Sequence, residues 1–100
     1  MTLHRFYVGT HDKHGKRVKR GVGPAIAKHL TAVYGGVTMY RTERMWRDDT
    51  GKVKAERAVV YEVVSDETPI TRQAAWIREM AGQACVLYTR ATVDGQFVRF

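Results

Sequence analysis

Asparagine is absent from these 100 residues, and cysteine occurs only once, as Cys85. Without asparagine the chain has no acceptor for N-linked glycosylation and no asparagine side chain for catalysis. A single cysteine excludes an internal disulfide and a cysteine-rich zinc site. Cys85 lies between Ala84 and Val86 at the start of a predicted strand, which is typical of a small buried residue rather than a nucleophile.

Long apolar stretches are also missing. No run approaches the length of about 20 residues that spans a bilayer, and the start, MTLHRFYVG, lacks the apolar segment of a signal peptide. We therefore expect a cytoplasmic protein. Hydrophobic residues make up 44% of the chain and charged residues 27%, with only two prolines, which indicates one globular domain over residues 1–100.

Acidic residues are few, because ten Asp and Glu stand against 17 Lys and Arg and give a formal net charge of +7. Five of these cations and two histidines fall within residues 11–20, HDKHGKRVKR. A positive balance of this kind favours anionic partners such as nucleic acid, nucleotides or acidic proteins. It carries no information about the fold.

The apolar pattern predicts an alternation of strands and helices. Ile26, Leu30 and Tyr34 repeat at helical spacing after Pro24, which suits a first helical turn. For the second helix we expect a cap at Thr68 or Ser65 and an opening at Pro69. The predicted order is strand 3–10, helix 21–36, strands 37–46 and 53–64 around the turn 47–52, helix 68–82, strand 84–93, and a short edge strand 96–100.

This β-α-β-β-α-β order predicts a ferredoxin-like α+β sandwich with an extra C-terminal edge strand. Right-handed crossovers place both helices on one face of an antiparallel sheet and leave the other face bare. The aromatic side chains on the strands have to be divided between the core and this open face. A one-residue change of register exchanges the two faces, so the sequence leaves the division open.

The connection from Thr10 to Gly23 is long for a strand-to-helix loop, where about 2–6 residues are usual. It ends at a helix start, where backbone N–H groups and the helix dipole favour an anion. Its cations are able to supply the opposing charge, and Arg grips phosphate through two parallel hydrogen bonds. The alternative is a mobile, solvated loop without a ligand.

Aromatic side chains on the strands are candidates for stacking on a base. Together with the loop they form the predicted ligand-binding set, which is Lys16, Arg17, Lys19, Arg20, Gly21, Gly23, Tyr40, Arg44, Trp46, Arg57 and Tyr61. We expect no metal, because the spaced pair His11 and His14 is surrounded by cations that repel a metal ion. We also expect no cofactor and no catalytic residue.

Glu43 and Glu56 are the candidate carboxylates, since they lie on adjacent predicted strands. Two close carboxylates raise the pKa of one of them and can serve acid–base chemistry. Arginines and lysines interleave with both residues, and cross-strand ion pairing is the interpretation that we favour.

Residues 18–25, VKRGVGPA, resemble the phosphate cradle of acylphosphatases, which reads roughly V-Q-G-V-G-F-R. Gly21 and Gly23 match the glycines of that motif, whereas Pro24 and Ala25 stand where its Phe and catalytic Arg are expected. The catalytic Asn of that family has no counterpart in a chain without asparagine. The resemblance therefore implies the layout of an acylphosphatase without its activity.

Residues 34–64 resemble a group of small uncharacterised bacterial and phage proteins with an aromatic residue, a D-x-x-G turn and a Glu on the following strand. Trp46, Asp48, Gly51 and Glu56 match that pattern, and Arg44 stands where those proteins often have Gly. The resemblance implies a ferredoxin-like fold and a phage origin, with the host cytoplasm as the location, and it implies no reaction.

These observations favour a non-enzymatic protein that binds a phosphate-bearing partner, either nucleic acid or a nucleotide, including a signalling nucleotide sequestered in phage counter-defence. One alternative is an inhibitor that binds a host protein, and another is an acylphosphatase-like hydrolase. We further expect a homodimer built on the open sheet face or on the terminal strand, where Phe97 and Phe100 are apolar.

Overall fold

The computed structural model of the chain describes residues 1–67 and 70–98. Within them, four strands and two helices follow one another in the predicted order. Pro24 lies in the first turn of the first helix and a left-handed Gly35 ends it. The elements are β1 (Thr2–Gly9), α1 (Val22–Tyr34), β2 (Thr38–Arg47), β3 (Val53–Val64), α2 (Thr71–Met80) and β4 (Leu87–Thr92).

The four strands form one antiparallel sheet in the order β2-β3-β1-β4. β1 therefore lies between the two strands that are remote from it in sequence, as two right-handed β-α-β units require. Both helices contribute to a single buried cluster with β1 and β3, around Phe6, Ile26, Leu30, Tyr61 and Ile77. The predicted ferredoxin-like α+β class is confirmed.

Strand register assigns the aromatic side chains to the two faces. Phe6 is paired with Tyr61 on β3 and with Tyr88 on β4, and all three belong to the helix-covered face. Side chains alternate between faces along a strand, so Tyr7 on β1 and Tyr40 on β2 lie on the open face. Tyr40 donates a hydrogen bond to Glu62 there, which itself pairs with Arg5.

Most element ends are shifted by one to three residues from the prediction, and three predictions about the second half of the chain are wrong or not confirmed. Residues 96–98 are in no strand, and Arg99 and Phe100 lie outside the described residues, so the extra edge strand is not confirmed. The N-cap of α2 is Ile70 rather than Ser65, and the predicted roles of Thr68 and Pro69 also fall outside the described residues. Cys85 is exposed, because β4 begins only at Leu87 and leaves Cys85 in the preceding loop.

No helix in residues 1–67 and 70–98 is long and apolar enough to cross a membrane.

A buried histidine links three parts of the core. The His4 side chain is completely buried, and its Nδ1 lies 2.7 Å from the Tyr88 hydroxyl while its Nε2 lies 3.0 Å from the Ser65 carbonyl oxygen. The Tyr88 hydroxyl also accepts a hydrogen bond from the Ile70 backbone N–H at 3.4 Å. A neutral imidazole satisfies both contacts, donating to the carbonyl and accepting from the phenol. This chain of hydrogen bonds ties the start of α2 to the sheet.

We expect Tyr88→Phe to lower the free energy of unfolding by about 1–3 kcal/mol, since the change leaves the buried His4 Nδ1 and the Ile70 N–H without partners. Urea denaturation measures the change. Tyr40→Phe is the matched control, because its hydrogen bond to Glu62 is exposed, and it should cost much less. Equal denaturation midpoints for the two variants would contradict this account of His4.

Candidate functional site

The basic run, residues 11–20 between β1 and α1, is folded around a tight turn. Asp12 Oδ1 accepts hydrogen bonds from the backbone N–H groups of His14 and Lys16, both at 2.9 Å. Gly15 completes the turn with a φ of 77°, a conformation that glycine adopts at little cost. These backbone hydrogen bonds hold the pKa of the Asp12 carboxyl below its usual range. The run therefore forms a small β-bridged turn, in which His11 pairs with Arg17.

The same turn occurs a second time in the chain, at the end of the β2–β3 hairpin. Asp48 Oδ1 accepts from the backbone N–H groups of Thr50 and Lys52, and Gly51 has a φ of 83°. Residues 12–16 and 48–52 share the pattern D-x-x-G-K. This repeated pattern is a sequence signal for the shape of the basic run, and the sequence prediction missed it.

Hydrogen bonds to the end of α2 hold the basic run against the body of the protein. The Lys13 backbone N–H donates to the Gly82 carbonyl at 2.8 Å. Gln83, which is buried, donates from Nε2 to the His11 carbonyl at 2.9 Å and accepts from the Gly9 N–H at 3.2 Å. Sequence reasoning did not identify Gln83. Its contacts fix the direction in which the run leaves β1.

A cleft of about 990 Å³ opens between the basic run, the start of α1 and the β2–β3 part of the sheet. Its floor is apolar and belongs to the core. The side chains that form this floor are Val8, Val18, Val22, Ile26, Val59 and Tyr61. Clefts of this size and composition suit a small ligand with an apolar or aromatic part.

The rim of the cleft is strongly positive. Among the described residues that line it, five are Lys or Arg and one is a carboxylate, Glu43. Glu43 pairs with Arg57 at 3.4 Å, and both side chains are at least three-quarters exposed, so this ion pair contributes little stability. The five cations are Arg17, Lys19, Arg20, Arg41 and Arg57. Cations on opposing walls of a cleft raise the local concentration of an anion.

The start of α1 reaches this cleft without a cap. Its N-cap is Gly21, no side chain caps it by a hydrogen bond, and its first turn contains no acidic residue. The Val22 N–H donates to the Lys19 carbonyl and the Ala25 N–H to the Gly21 carbonyl, whereas Pro24 has no N–H. The Gly23 N–H has no acceptor among the described residues. A helix start of this kind attracts an anion only weakly by itself.

Tyr61 provides a second polar group at the same place. The residue is 3% exposed and lines the cleft from β3. A Cβ atom on Gly23 would lie 3.2 Å from its hydroxyl oxygen, so the hydroxyl touches the first turn of α1. No described residue hydrogen-bonds to this hydroxyl, and burial alone raises the pKa of the phenol. Tyr61 therefore keeps its proton and a free donor at the floor of the cleft.

The structure brings together only part of the predicted ligand-binding set. Six predicted residues line the cleft, namely Arg17, Lys19, Arg20, Gly23, Arg57 and Tyr61. Lys16 belongs to the turn and Gly21 to the helix cap, and neither lines the cleft. Tyr40, Arg44 and Trp46 lie on the open face of the sheet, and none of them lines the cleft. Tyr40 and Trp46 are therefore not part of the same site as the cations of the cleft.

Both candidate carboxylates are in cross-strand ion pairs, which confirms the predicted pairing. Glu43 lies opposite Arg57, and Glu56 lies opposite Arg44, with 3.2 Å between Arg44 Nη2 and Glu56 Oε2. The two pairs occupy adjacent positions of the ladder and therefore opposite faces of the sheet. Glu43 and Glu56 do not form an acid–base pair.

His11 and His14 are the histidines of the basic run. His11 Nδ1 contacts the Thr10 hydroxyl at 3.1 Å, and the Asp12 carboxylate is occupied by the turn. Across the described part of the chain, no group of three or more His, Cys, Asp or Glu side chains is placed to hold a metal ion.

The sequence matches no protein-family model and no curated protein. Solved structures with the same fold include the periplasmic divalent cation tolerance protein CutA from Archaeoglobus fulgidus, at a TM-score of 0.69 and 11% identity, over 97% of this chain and 88% of that one. The PII-like protein CutA from Nostoc sp. PCC 7120 matches at a TM-score of 0.64 and 18% identity, over 94% of this chain and 82% of that one.

A phage SAM lyase in complex with S-methyl-5'-thioadenosine is also similar, at a TM-score of 0.62 and 13% identity, over 90% of this chain and 79% of that one. At these identities the comparisons show a shared fold. They overturn both resemblances inferred from the sequence, because the structural neighbours are CutA and PII-like proteins rather than acylphosphatases or the group of small phage proteins. The stretches that carried those resemblances, Gly21-Val22-Gly23 and a D-x-x-G turn, were too short to identify a family.

The depressed pKa of the Asp12 and Asp48 carboxyls predicts an acid-dependent stability. A carboxyl whose pKa is lower in the folded than in the unfolded state stabilises the folded state at pH values above its ordinary pKa of 3.8. This contribution disappears as the pH falls through the lower pKa of the folded state. We expect Asp12→Asn/Asp48→Asn to show a smaller fall in melting temperature than the unmodified protein between about pH 4 and pH 2. Asp66→Asn/Asp94→Asn is the control, and equal slopes for both double variants would exclude this role of the turns.

Proposed function

We propose that the cleft binds a small nucleotide and that the protein acts by binding rather than by catalysis. The observation that carries the proposal is the set of five cations around an apolar floor, at the point where an uncapped helix start meets the free hydroxyl of Tyr61. Phosphate suits the rim and the helix start, and a base suits the floor.

The concave shape of the site favours a small nucleotide over nucleic acid. The cations converge on a cleft of about 990 Å³ instead of forming a stripe along an exposed surface. A strand of nucleic acid neutralises many phosphates and binds with a steep salt dependence, whereas a nucleotide neutralises few. A shallow salt dependence is therefore expected.

The phage SAM lyase supports the nucleoside part of the proposal, because that protein of the same fold holds S-methyl-5'-thioadenosine. It also suggests a second candidate, in which this chain binds or cleaves S-adenosylmethionine. The sulfonium of that compound is a cation, and the positive rim of the cleft disfavours it. The anionic nucleotide remains the better match.

Replacing the cations of the basic run tests the proposal. We expect Arg17→Ala/Lys19→Ala/Arg20→Ala to weaken binding of adenosine 5'-monophosphate at least about tenfold, because each lost charge-assisted contact contributes roughly 1.5–3 kcal/mol. Isothermal titration calorimetry measures the affinity, and circular dichroism checks the fold. Lys13→Ala/Lys16→Ala is the matched control, since both side chains belong to the same run but do not line the cleft.

Equal affinities of both variants for adenosine 5'-monophosphate would show that Arg17, Lys19 and Arg20 do not contribute to binding. S-adenosylmethionine is included as a further compound in the same series. Release of S-methyl-5'-thioadenosine from it, abolished in the triple variant, would replace the binding proposal with a catalytic one.

We also propose that the protein self-associates as a homodimer. The far end of the β2–β3 hairpin is uncovered on both faces, since Met45 on one face is 74% exposed and Trp46 on the other 47%. Phe97 and Val98 are exposed as well. A two-stranded ribbon with apolar side chains on both faces is marginally stable alone, and association commonly covers such surfaces.

Light scattering at micromolar concentration tests this expectation. The unmodified chain should show about twice the monomer mass of 11.4 kDa, and Met45→Lys/Trp46→Lys should reduce it to the monomer. Asp49→Lys, at the exposed turn of the same hairpin, changes the charge by the same amount and is the control. A constant mass near 11.4 kDa as the concentration rises would exclude the homodimer.

A further inference from the structure

We propose that the floor of the cleft is a subsite for a terminal phosphate monoester, with the Tyr61 hydroxyl as the ligand-binding donor that selects it. This inference rests on the proposed function, because it defines which part of a nucleotide enters first. It gives Tyr61 a role in ligand binding in addition to its packing in the hydrophobic core.

The Tyr61 side chain has two environments. Its ring is packed in the core with Phe6 and Ile26, while its hydroxyl reaches the cleft beside Gly23. Buried tyrosine hydroxyls usually have a hydrogen-bond partner, and Tyr88 in this chain follows that rule with His4 and Ile70. The Tyr61 hydroxyl has no partner among the described residues. The hydroxyl is open to the cleft, so water pairs with it in the free protein and a ligand oxygen can take the place of that water.

A second donor lies at the same point. The Gly23 N–H belongs to the first turn of α1, where N–H groups point out of the helix start, and Gly23 lines the cleft. Arg20 and Lys19, which precede this turn, line the cleft and supply positive charge. Phenol, backbone amide and cation therefore line the same cleft and offer a ligand three kinds of donor.

A terminal monoester fits this position better than a diester does. The phosphate monoester presents three acceptor oxygens and a charge near −2, which matches three donors. A phosphodiester presents two free oxygens and continues as a chain in both directions. Ile26 and Val8 line the same cleft and are buried in the core, so a ligand cannot continue through the floor of the cleft.

Gly23 is part of the same subsite because of its size. A methyl group at this residue would lie 3.2 Å from the Tyr61 hydroxyl oxygen, which is closer than most such contacts. Alanine would displace the hydroxyl from the helix start while improving the intrinsic helix propensity of the turn. A loss of binding in Gly23→Ala would therefore report on the subsite and not on the unfolding of α1.

Calorimetric titrations with adenosine 5'-monophosphate, cyclic 3',5'-adenosine monophosphate, adenosine and inorganic phosphate test the subsite. The unmodified protein is expected to prefer the monoester over the cyclic diester at least about tenfold. Tyr61→Phe and Gly23→Ala should each lose this preference, mainly through weaker binding of the monoester, while their affinity for adenosine stays the same. Tyr40→Phe, which removes a hydroxyl from the opposite face, should bind like the unmodified protein.

The outcomes separate this inference from the proposed function. Equal binding of monoester and cyclic diester, or a preference retained in Tyr61→Phe, would overturn the subsite and leave nucleotide binding in place. Tyr61-dependent binding of inorganic phosphate without binding of any adenine compound would support the subsite and overturn nucleotide binding. Absence of binding to all four compounds would overturn both.

Discussion

The pairing of Phe6 with Tyr61 on one side and with Tyr88 on the other is the constraint on which the rest of the structure depends. Phe6 is fully buried and stacks on Tyr88 with ring centroids 5.3 Å apart, and burial of such a side chain contributes about 1.5–3 kcal/mol. A slip of one residue between β1 and β3 would exchange the two faces. Tyr61 would then leave the cleft, and the face beside the basic run would carry different side chains. A packing contact in the core thus decides the chemistry of the surface.

The cleft is formed by segments that are far apart in the sequence. Asp12 shapes the turn of the basic run, and Gln83 from the end of α2 fixes its base. Arg41 and Arg57 reach the same opening from neighbouring strands. The positive field therefore comes from two walls, and only one of them is visible as a basic run in the sequence. The apolar floor between them is the upper surface of the core, so the site and the fold share side chains.

Hydrophobic periodicity predicted the four strands and two helices of the described residues, whereas the predicted edge strand 96–100 is not confirmed. The strand predicted over residues 53–64 coincides with Val53–Val64, and the β2 prediction differs by one residue at each end. The prediction that Arg17, Lys19 and Arg20 bind a ligand rested on local features, namely charge and a helix start, and stays a prediction; the structure places these three residues in one cleft. The faces of Tyr40 and Trp46 were not predictable, since they follow from strand register set by residues far apart in the chain. Arg41 and Gln83 were missed for a similar reason, because only the tertiary structure brings Arg41 to the cleft and Gln83 to the basic run.

The strand order also has a consequence for the sequence of events in folding. β2 and β3 are joined by a short turn, and their ladder pairs residues close in the chain, such as Arg47 with Val53. β1 pairs with strands that follow much later, as in Leu3 with Val64 and Thr2 with Thr92. Local contacts form with less loss of chain entropy than distant ones. We therefore expect the hairpin to form early and β1 to insert between β3 and β4 at a late step. Since the basic run follows β1 directly, the cleft is completed only with that insertion, and a ligand bound there would favour the fully assembled sheet over any intermediate.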